Sequence, residues 1–559
     1  MFKAQLAILT LATFLTFANQ GNSDFTSQSL SLPTNLFWGK VNGTSYLTVT
    51  RNIKNLEYCS SSWAMAATTV LSDRFKVLRN ASWPDFNISP QVALSCISSV
   101  QGCSEEGDPA QVYDYILNNG ITEETCAVYQ ARDFSNGAPC DRLARCKTCF
   151  PNGKCDIPSK YYVYNITGYA VAKGQTQMLN ALQSGPIVCR LNSTDQFVQY
   201  SSNDDILIPT QSASNGTIYV SIVGYGVDSK GNNYWIGRNS WGIGWGDAGF
   251  FNIIRGTDAL GVEEYCVYPT PSLIVTVVNT NQGIEEKTLI SSFDLPRIQE
   301  PAKSFRVKPV ADETLAAVPS SWDWRNVKGK NYLSWARNQN IPQYLDASWA
   351  FATASSVTDR LNILFFNDTF PQFIISPQDM INNVVGAFGS GDLSSLYKYF
   401  QQFGFSDDTC LQYVAENRNS FDCSICVPPA PADVSDNSYC SSAPIPITFK
   451  ISSYKNLAGA TKMMQEIYTN GPITCGIYAS AKFANYTSGI YSEISKISTI
   501  SQYVSVVGWG VDPSTNNKYW IGRNSWGTGW GDYGFFFMQM LRDNLGIETD
   551  CTAAIPTFK

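Results

Sequence analysis

At 559 residues the chain is too long for one ordinary hydrophobic core, and its length suggests two to four domains. Its 44% hydrophobic and 15% charged content is that of folded protein, which excludes a disordered chain. A net charge of −7 with no basic run or stripe excludes nucleic acid as a partner.

The first eighteen residues have the three parts of a secretory signal: Lys3, the apolar run LAILTLATFLTF, and a small-residue cleavage site at Thr16-Phe17-Ala18. That run is too short to cross a bilayer comfortably, so residues 1–18 read as a signal peptide and the rest as a chain without a membrane span. A short segment, 19–31, follows. An oxidising compartment is implied, and the 16 cysteines suit it as structural disulfides. Asn42, Asn80, Asn87, Asn165, Asn192, Asn215, Asn367 and Asn485 each open an N-x-S/T triplet, so some N-glycosylation is expected.

Beyond residue 32 the chain reads twice. SSWAMAATTVLSDRFKVL and, later, SWAFATASSVTDRLNILFF each carry apolar residues at helical spacing and predict one long helix. IYVSIVGYGV, NYWIGRNSW and GFFNII alternate as strands between glycine turns. YWIGRNSWGIGWGDAGFF returns as YWIGRNSWGTGWGDYGFF 285 residues on, from Tyr234 to Tyr519, and Ser62 to Ser348 and Cys189 to Cys475 keep nearly the same offset. Such a period is far too long for a solenoid and marks a duplicated domain. The copies span 32–270 and 318–559. Between them, 271–317 is polar, cysteine-free and broken by Pro296, Pro301 and Pro309, and reads as an exposed linker. Helices first and strands later predict an α+β fold, each copy having a helical half and a barrel-like sheet half.

A helix opening C-x-x-[nucleophile]-W-A, with an Asn far downstream in R-N-S-W-G, resembles the papain family of cysteine peptidases. VPSSWDWRNVKGKNYLSWARNQNIPQY, with its Asn340-Ile341-Pro342 insertion, resembles the mature start of the family's cathepsin X (cathepsin Z) branch, and LPTNLFWGKVNGTSYLTVTRNIKNLEYC is a looser version. The resemblance implies the bridges Cys59–Cys103, Cys96–Cys140, Cys126–Cys146, Cys149–Cys155 and Cys189–Cys266 in copy 1. In copy 2 it implies Cys410–Cys423, Cys426–Cys440 and Cys475–Cys551. Leu345, Asn383 and about Phe388 stand where copy 1 has Cys59, Cys96 and Cys103, so two bridges are absent as whole pairs and no thiol is left over.

The family's chemistry needs a thiolate at the helix start, an imidazole, an Asn to orient it and a Gln for the oxyanion. The corresponding positions hold Ser62, Ile218, Asn239 and Ile53 in copy 1, and Ser348, Gln502, Asn524 and Gln339 in copy 2. The chain contains no histidine at all, so no misalignment can hide an imidazole. Catalysis by the family mechanism is therefore not expected from either copy, and no cofactor or metal site is expected in its place. A serine hydrolase using Lys54 or Asp346 as base would be the remaining chemistry.

Without that chemistry, Ser62 and Ser348 read as helix-capping residues. Asn239 and Asn524 read as partners of backbone, and Trp241 and Trp526 as packing residues. Gln339, Lys54, Trp241 and Trp526 are also the candidates for contacting a bound peptide. Three readings stand: a secreted inactive peptidase homologue binding peptides or a protein, a structural glycoprotein of a secretory or vacuolar compartment, and a residual serine hydrolase. With no imidazole, any acid response must come from carboxylates. Ligand and oligomeric state are not set by the sequence.

Overall fold

The computed structural model describes residues 32–55, 58–97, 102–103, 107–132, 140–203, 205–210, 215–290, 318–366, 372–384, 393–417, 423–427, 439–443, 447–493 and 499–557. The signal peptide 1–18, segment 19–31, Asn367 and Phe388 lie outside them. Among the described residues no helix is long and apolar enough to cross a membrane.

The first half opens with a short strand, β1 (Leu36–Phe37), and then the central helix α1 (Ser62–Leu78). Fifteen consecutive residues of α1, Ser62–Lys76, are buried, so it is a helix enclosed on all sides rather than an amphipathic one. Two polar side chains within it are satisfied by ion pairing or backbone. Asp73 pairs with Arg238 and accepts from the Thr48 N–H at 2.7 Å, and Arg74 donates to the Pro186 carbonyl at 2.6 Å. Next come α2 (Pro90–Cys96), started by a Ser89 side chain that accepts from the Val92 N–H, and α3 (Pro109–Asn119), started by an Asp108 capping box. The sheet follows as β2 (Lys160–Ala172), β3 (Ile187–Asn192), β4 (Thr217–Val227), β5 (Asn233–Arg238), β6 (Phe250–Ile254), β7 (Cys266–Asn279) and β8 (Ile284–Leu289). Its order is β8-β7-β3-β4-β5-β6, with β1 on β4 and β2 on β7.

The proposed linker therefore does not begin at 271. Residues 271–289 continue the sheet through β7 and β8, because LIVTVV is a run of β-branched and apolar residues that pairs as a strand and Asn279–Gly283 turns it back. Only 291–317 falls outside the described residues.

The second half repeats the plan: β9 (Trp322–Asp323), α4 (Ser348–Leu361), α5 (Pro377–Asn383), α6 (Leu393–Gln402), β10 (Thr448–Leu457), β11 (Ile473–Ile477), β12 (Gln502–Val511), β13 (Lys518–Arg523), β14 (Phe535–Gln539) and β15 (Cys551–Thr557). The long helix expected to Phe366 is α only to Leu361, and Asn362–Phe366 widens into a π turn. Asp359 on α4 pairs with Arg523 at 2.6 Å, the counterpart of Asp73 with Arg238. The fold is α+β in both halves.

Disulfides join Cys59–Cys103, Cys96–Cys140, Cys126–Cys146, Cys149–Cys155 and Cys189–Cys266 in the first half, and Cys410–Cys423 and Cys475–Cys551 in the second. Cys426 and Cys440 face each other in backbone register, but their side chains lie outside the described set. Of the sequon asparagines, Asn42, Asn80, Asn215 and Asn485 are exposed, Asn165 and Asn192 are partly buried, and Asn87 is buried.

The two halves meet through equivalent surfaces. Asn52 Nδ2 donates to the Thr409 carbonyl at 2.7 Å, and Asn338 Nδ2 donates to the Thr125 carbonyl at 2.8 Å. The Ile243 N–H donates to Thr409 Oγ1 at 3.1 Å, and the Thr528 N–H to Thr125 Oγ1 at 3.3 Å. This reciprocity is that of a two-fold dimer interface carried within one chain. Arg51 pairs with Glu124, and Arg337 with Asp408 at 2.7 Å, on the two sides of the junction. Approach is close enough that a Cβ on Gly529 would stand 2.1 Å from the Lys160 carbonyl oxygen, so glycine is required there.

Candidate functional site

In each half the candidate site lies where the start of the central helix meets the start of the long strand behind it. Ser62 is the first residue of α1, and Ile218 lies in β4 opposite Leu191. Ser348 opens α4, and Gln502 lies in β12 opposite Ile477. The following turn brings Asn239 and Asn524 back to the same place.

The serines do not cap their helices. Neither N-terminus has a side-chain cap, and helix geometry already begins at Ser62 and Ser348 themselves. Each hydroxyl turns instead to the sheet, where Ser62 Oγ accepts from the Tyr219 N–H at 3.2 Å and Ser348 Oγ from the Tyr503 N–H at 3.1 Å. Both bonds satisfy a strand N–H that faces the helix rather than a neighbouring strand. Among the described residues, no carboxylate or amine hydrogen-bonds either hydroxyl. Asp346, whose carboxyl is pushed up by burial, does not reach Ser348 by a hydrogen bond.

Around these serines the halves differ. In the second, Gln502 Nε2 donates to Asn524 Oδ1 at 2.8 Å and approaches Gln339 Oε1 at 3.4 Å. Ser525 Oγ donates to Gln339 Oε1 at 2.6 Å, and the Ser525 N–H to Asn524 Oδ1 at 2.9 Å. Asn524 thus bonds a side chain as well as the backbone expected for it. Gln339 is 2% exposed, and its backbone carbonyl accepts from the Tyr413 hydroxyl at 2.7 Å. A buried Gln339 in this network is not presented to a peptide carbonyl.

The first half has no such network. Ile218 packs partly buried against the sheet core, and Ile53 is buried. Asn239 Oδ1 accepts from the Ser240 N–H at 2.8 Å, as expected of a backbone partner, and its Nδ2, like that of Asn524, is buried with no hydrogen-bond partner among the described residues. Lys54 and Trp241 come together, with Lys54 Nζ 3.8 Å from the ring centroid, and burial holds the Lys54 ammonium below its usual range. Trp241 and Trp526 each remain partly exposed beside a second tryptophan, Trp245 and Trp530.

Sequence reasoning missed Ser525, Tyr413 and the two junction threonines. Ser525 was visible inside R-N-S-W-G, directly after Asn524. Thr125 and Thr409 each precede an equivalent cysteine, but nothing local marks them as contacts across the halves. Among the described residues no cluster of His, Cys, Asp and Glu suits a metal.

The profile of the papain family cysteine proteases matches residues 33–270 and again 318–555. The chain belongs to the papain family. Cathepsin Z of Onchocerca volvulus is 38% identical over 250 residues, covering 43% of this chain and 78% of the relative. Cathepsin B-like cysteine proteinase 5 of Caenorhabditis elegans is 30% identical, covering 40% of this chain and 70% of the relative. Among solved structures, the bromelain protease of Ananas comosus in complex with the E64 inhibitor is similar at 25% identity and a TM-score of 0.34, covering 43% of this chain and all of that one. Each likeness spans one papain-family half of the chain.

Proposed function

We propose that this protein is a secreted papain-family member without peptidase activity that binds an extended peptide or protein segment through its first half. One observation carries the reading: in both halves the helix-start hydroxyl accepts from a strand N–H and, among the described residues, has no hydrogen bond to a base, in a chain without histidine. A serine hydroxyl without a base stays protonated, and a helix dipole worth up to about 2 kcal/mol does not change that. The first half is favoured for binding because it keeps Lys54 over the partly exposed Trp241 and has Ile218 where Gln502 of the second half fills the site with hydrogen bonds to Asn524, Gln339 and Ser525. An Asn Nδ2 without a partner among the described residues is common to both halves. A desolvated cation over a partly exposed indole is a pair that a peptide's carbonyls and side chains can engage.

Signal peptide, disulfides and exposed sequons support passage through a secretory pathway, with Asn42, Asn80, Asn215 and Asn485 as the acceptors and Asn87 without sugar in the folded protein. The test is a peptide library offered to the full-length protein, read for both binding and turnover. Binding that weakens at least tenfold in Lys54→Ala or Trp241→Ala, with no cleavage of any member, supports the reading. Cleavage that disappears in Ser62→Ala or Ser348→Ala overturns it.

A further inference from the structure

Glu123 belongs to the first half, in a bridge with Ile88, yet its carboxyl is bound by the second half. Oε2 accepts from the Tyr533 hydroxyl at 3.0 Å, and Oε1 accepts from Thr528 Oγ1. Those hydroxyls are themselves held, Tyr533 by Tyr164 at 2.7 Å and Thr528 by Thr125 at 2.9 Å. Glu123 is 2% exposed, and among the described residues it has no cationic partner.

The surrounding charges are matched elsewhere. From the first half, Tyr162 and Tyr164 face it on β2, and the adjacent Glu124 is paired with Arg51, close to Asp408 and Arg337. From the second half come Tyr533 and Asp532, the latter facing Lys160 and Arg325, while Arg79 faces Tyr164. Hydroxyls rotate to donate or accept, so this ring takes a protonated carboxyl without losing a hydrogen bond. An ionised carboxyl keeps two donors but is a buried charge without a counter-ion. Asp407, the counterpart beside Asp408, makes no such crossing: it accepts from the Thr409 and Ile374 N–H groups of its own half at 2.7 and 2.9 Å.

We propose that Glu123 is a proton-operated latch between the two halves, closed while its carboxyl is protonated and loosened when it ionises. Burial pushes Glu123 up to about 7 from 4.5, which supports this. Because the folded value is the higher, the native protein keeps a proton that the unfolded chain gives up. The stabilisation is complete below about pH 4.5 and is lost as pH rises through about 7.

The test compares urea unfolding of the full-length protein with Glu123→Gln, which imitates the protonated side chain, from pH 4.5 to 8.5. The wild-type unfolding constant, relative to the variant, is expected to rise on the order of a hundredfold across that range. Hydrogen exchange should place the loosening in residues 123–128 and 526–536. Tyr533→Phe keeps the ring and removes one donor to the carboxylate, so it should move the loss to higher pH. Parallel wild-type and Glu123→Gln profiles, an unmoved or lowered midpoint in Tyr533→Phe, or pH-dependent exchange confined to other segments would each overturn the latch.

Discussion

In the first half Ile218 packs against the sheet core and Lys54 lies over Trp241; in the second, Gln502 stands in the same register and ties Asn524, Gln339 and Ser525 together, while the Asn Nδ2 of each half is buried without a partner among the described residues. Both sites stand on the same support, a buried helix pinned to the sheet by an Asp–Arg pair. The difference teaches that one scaffold tolerates two solutions at the imidazole position. An apolar residue there leaves the Asn Oδ1 to the backbone alone, while an amide adds a side-chain network around it; in neither half does the Asn Nδ2 find a partner among the described residues.

The comparison is broken most forcefully by putting chemistry back. Ser348→Cys with Gln502→His would place an imidazole beside Asn524 and Gln339, which already converge on residue 502. We expect this double variant to gain covalent labelling by an epoxide thiol probe, since losing such a unit costs on the order of a millionfold. Ser62→Cys with Ile218→His should gain much less, because Ile53 supplies no amide opposite. Equal gains would remove the distinction between the halves.

This contrast was only partly legible in the sequence. The helices, the alternating strands and the duplication follow from periodicity, and the vacant histidine position from a count of zero. The direction in which Ser62 and Ser348 point was not legible, because a helix-start serine has two sets of N–H groups within reach and the strand's won. Nor was the extension through β8, since LIVTVV continues past the repeat into a stretch whose prolines suggested a linker. The junction was least legible of all: Thr125 with Thr528 and Asn52 with Thr409 depend on docking that no local pattern encodes.

Removing the shared support should affect both halves alike. Asp73→Asn or Asp359→Asn leaves a buried Arg238 or Arg523 uncompensated and should cost about 3–5 kcal/mol in urea unfolding. Exchanging the two solutions sharpens the contrast further. Gln502→Ile removes the donor to Asn524 Oδ1 and Gln339 Oε1 and should cost about 1–3 kcal/mol, whereas Ile218→Gln, at a position only partly buried, should cost less than about 1 kcal/mol. The smallest effects belong to the junction, where Thr125→Ala and Thr409→Ala should each cost about 1 kcal/mol by the same measurement.

The central claim is that neither serine reacts. The most direct measurement treats the purified full-length protein with serine-reactive phosphonate and thiol-reactive epoxide probes and maps any adduct by peptide mass spectrometry. The account predicts no adduct on the peptides carrying Ser62 and Ser348, under conditions where the Ser348→Cys, Gln502→His variant is labelled. A phosphonate adduct on Ser62 or Ser348 of the wild-type chain, lost on mutation to alanine, would contradict it.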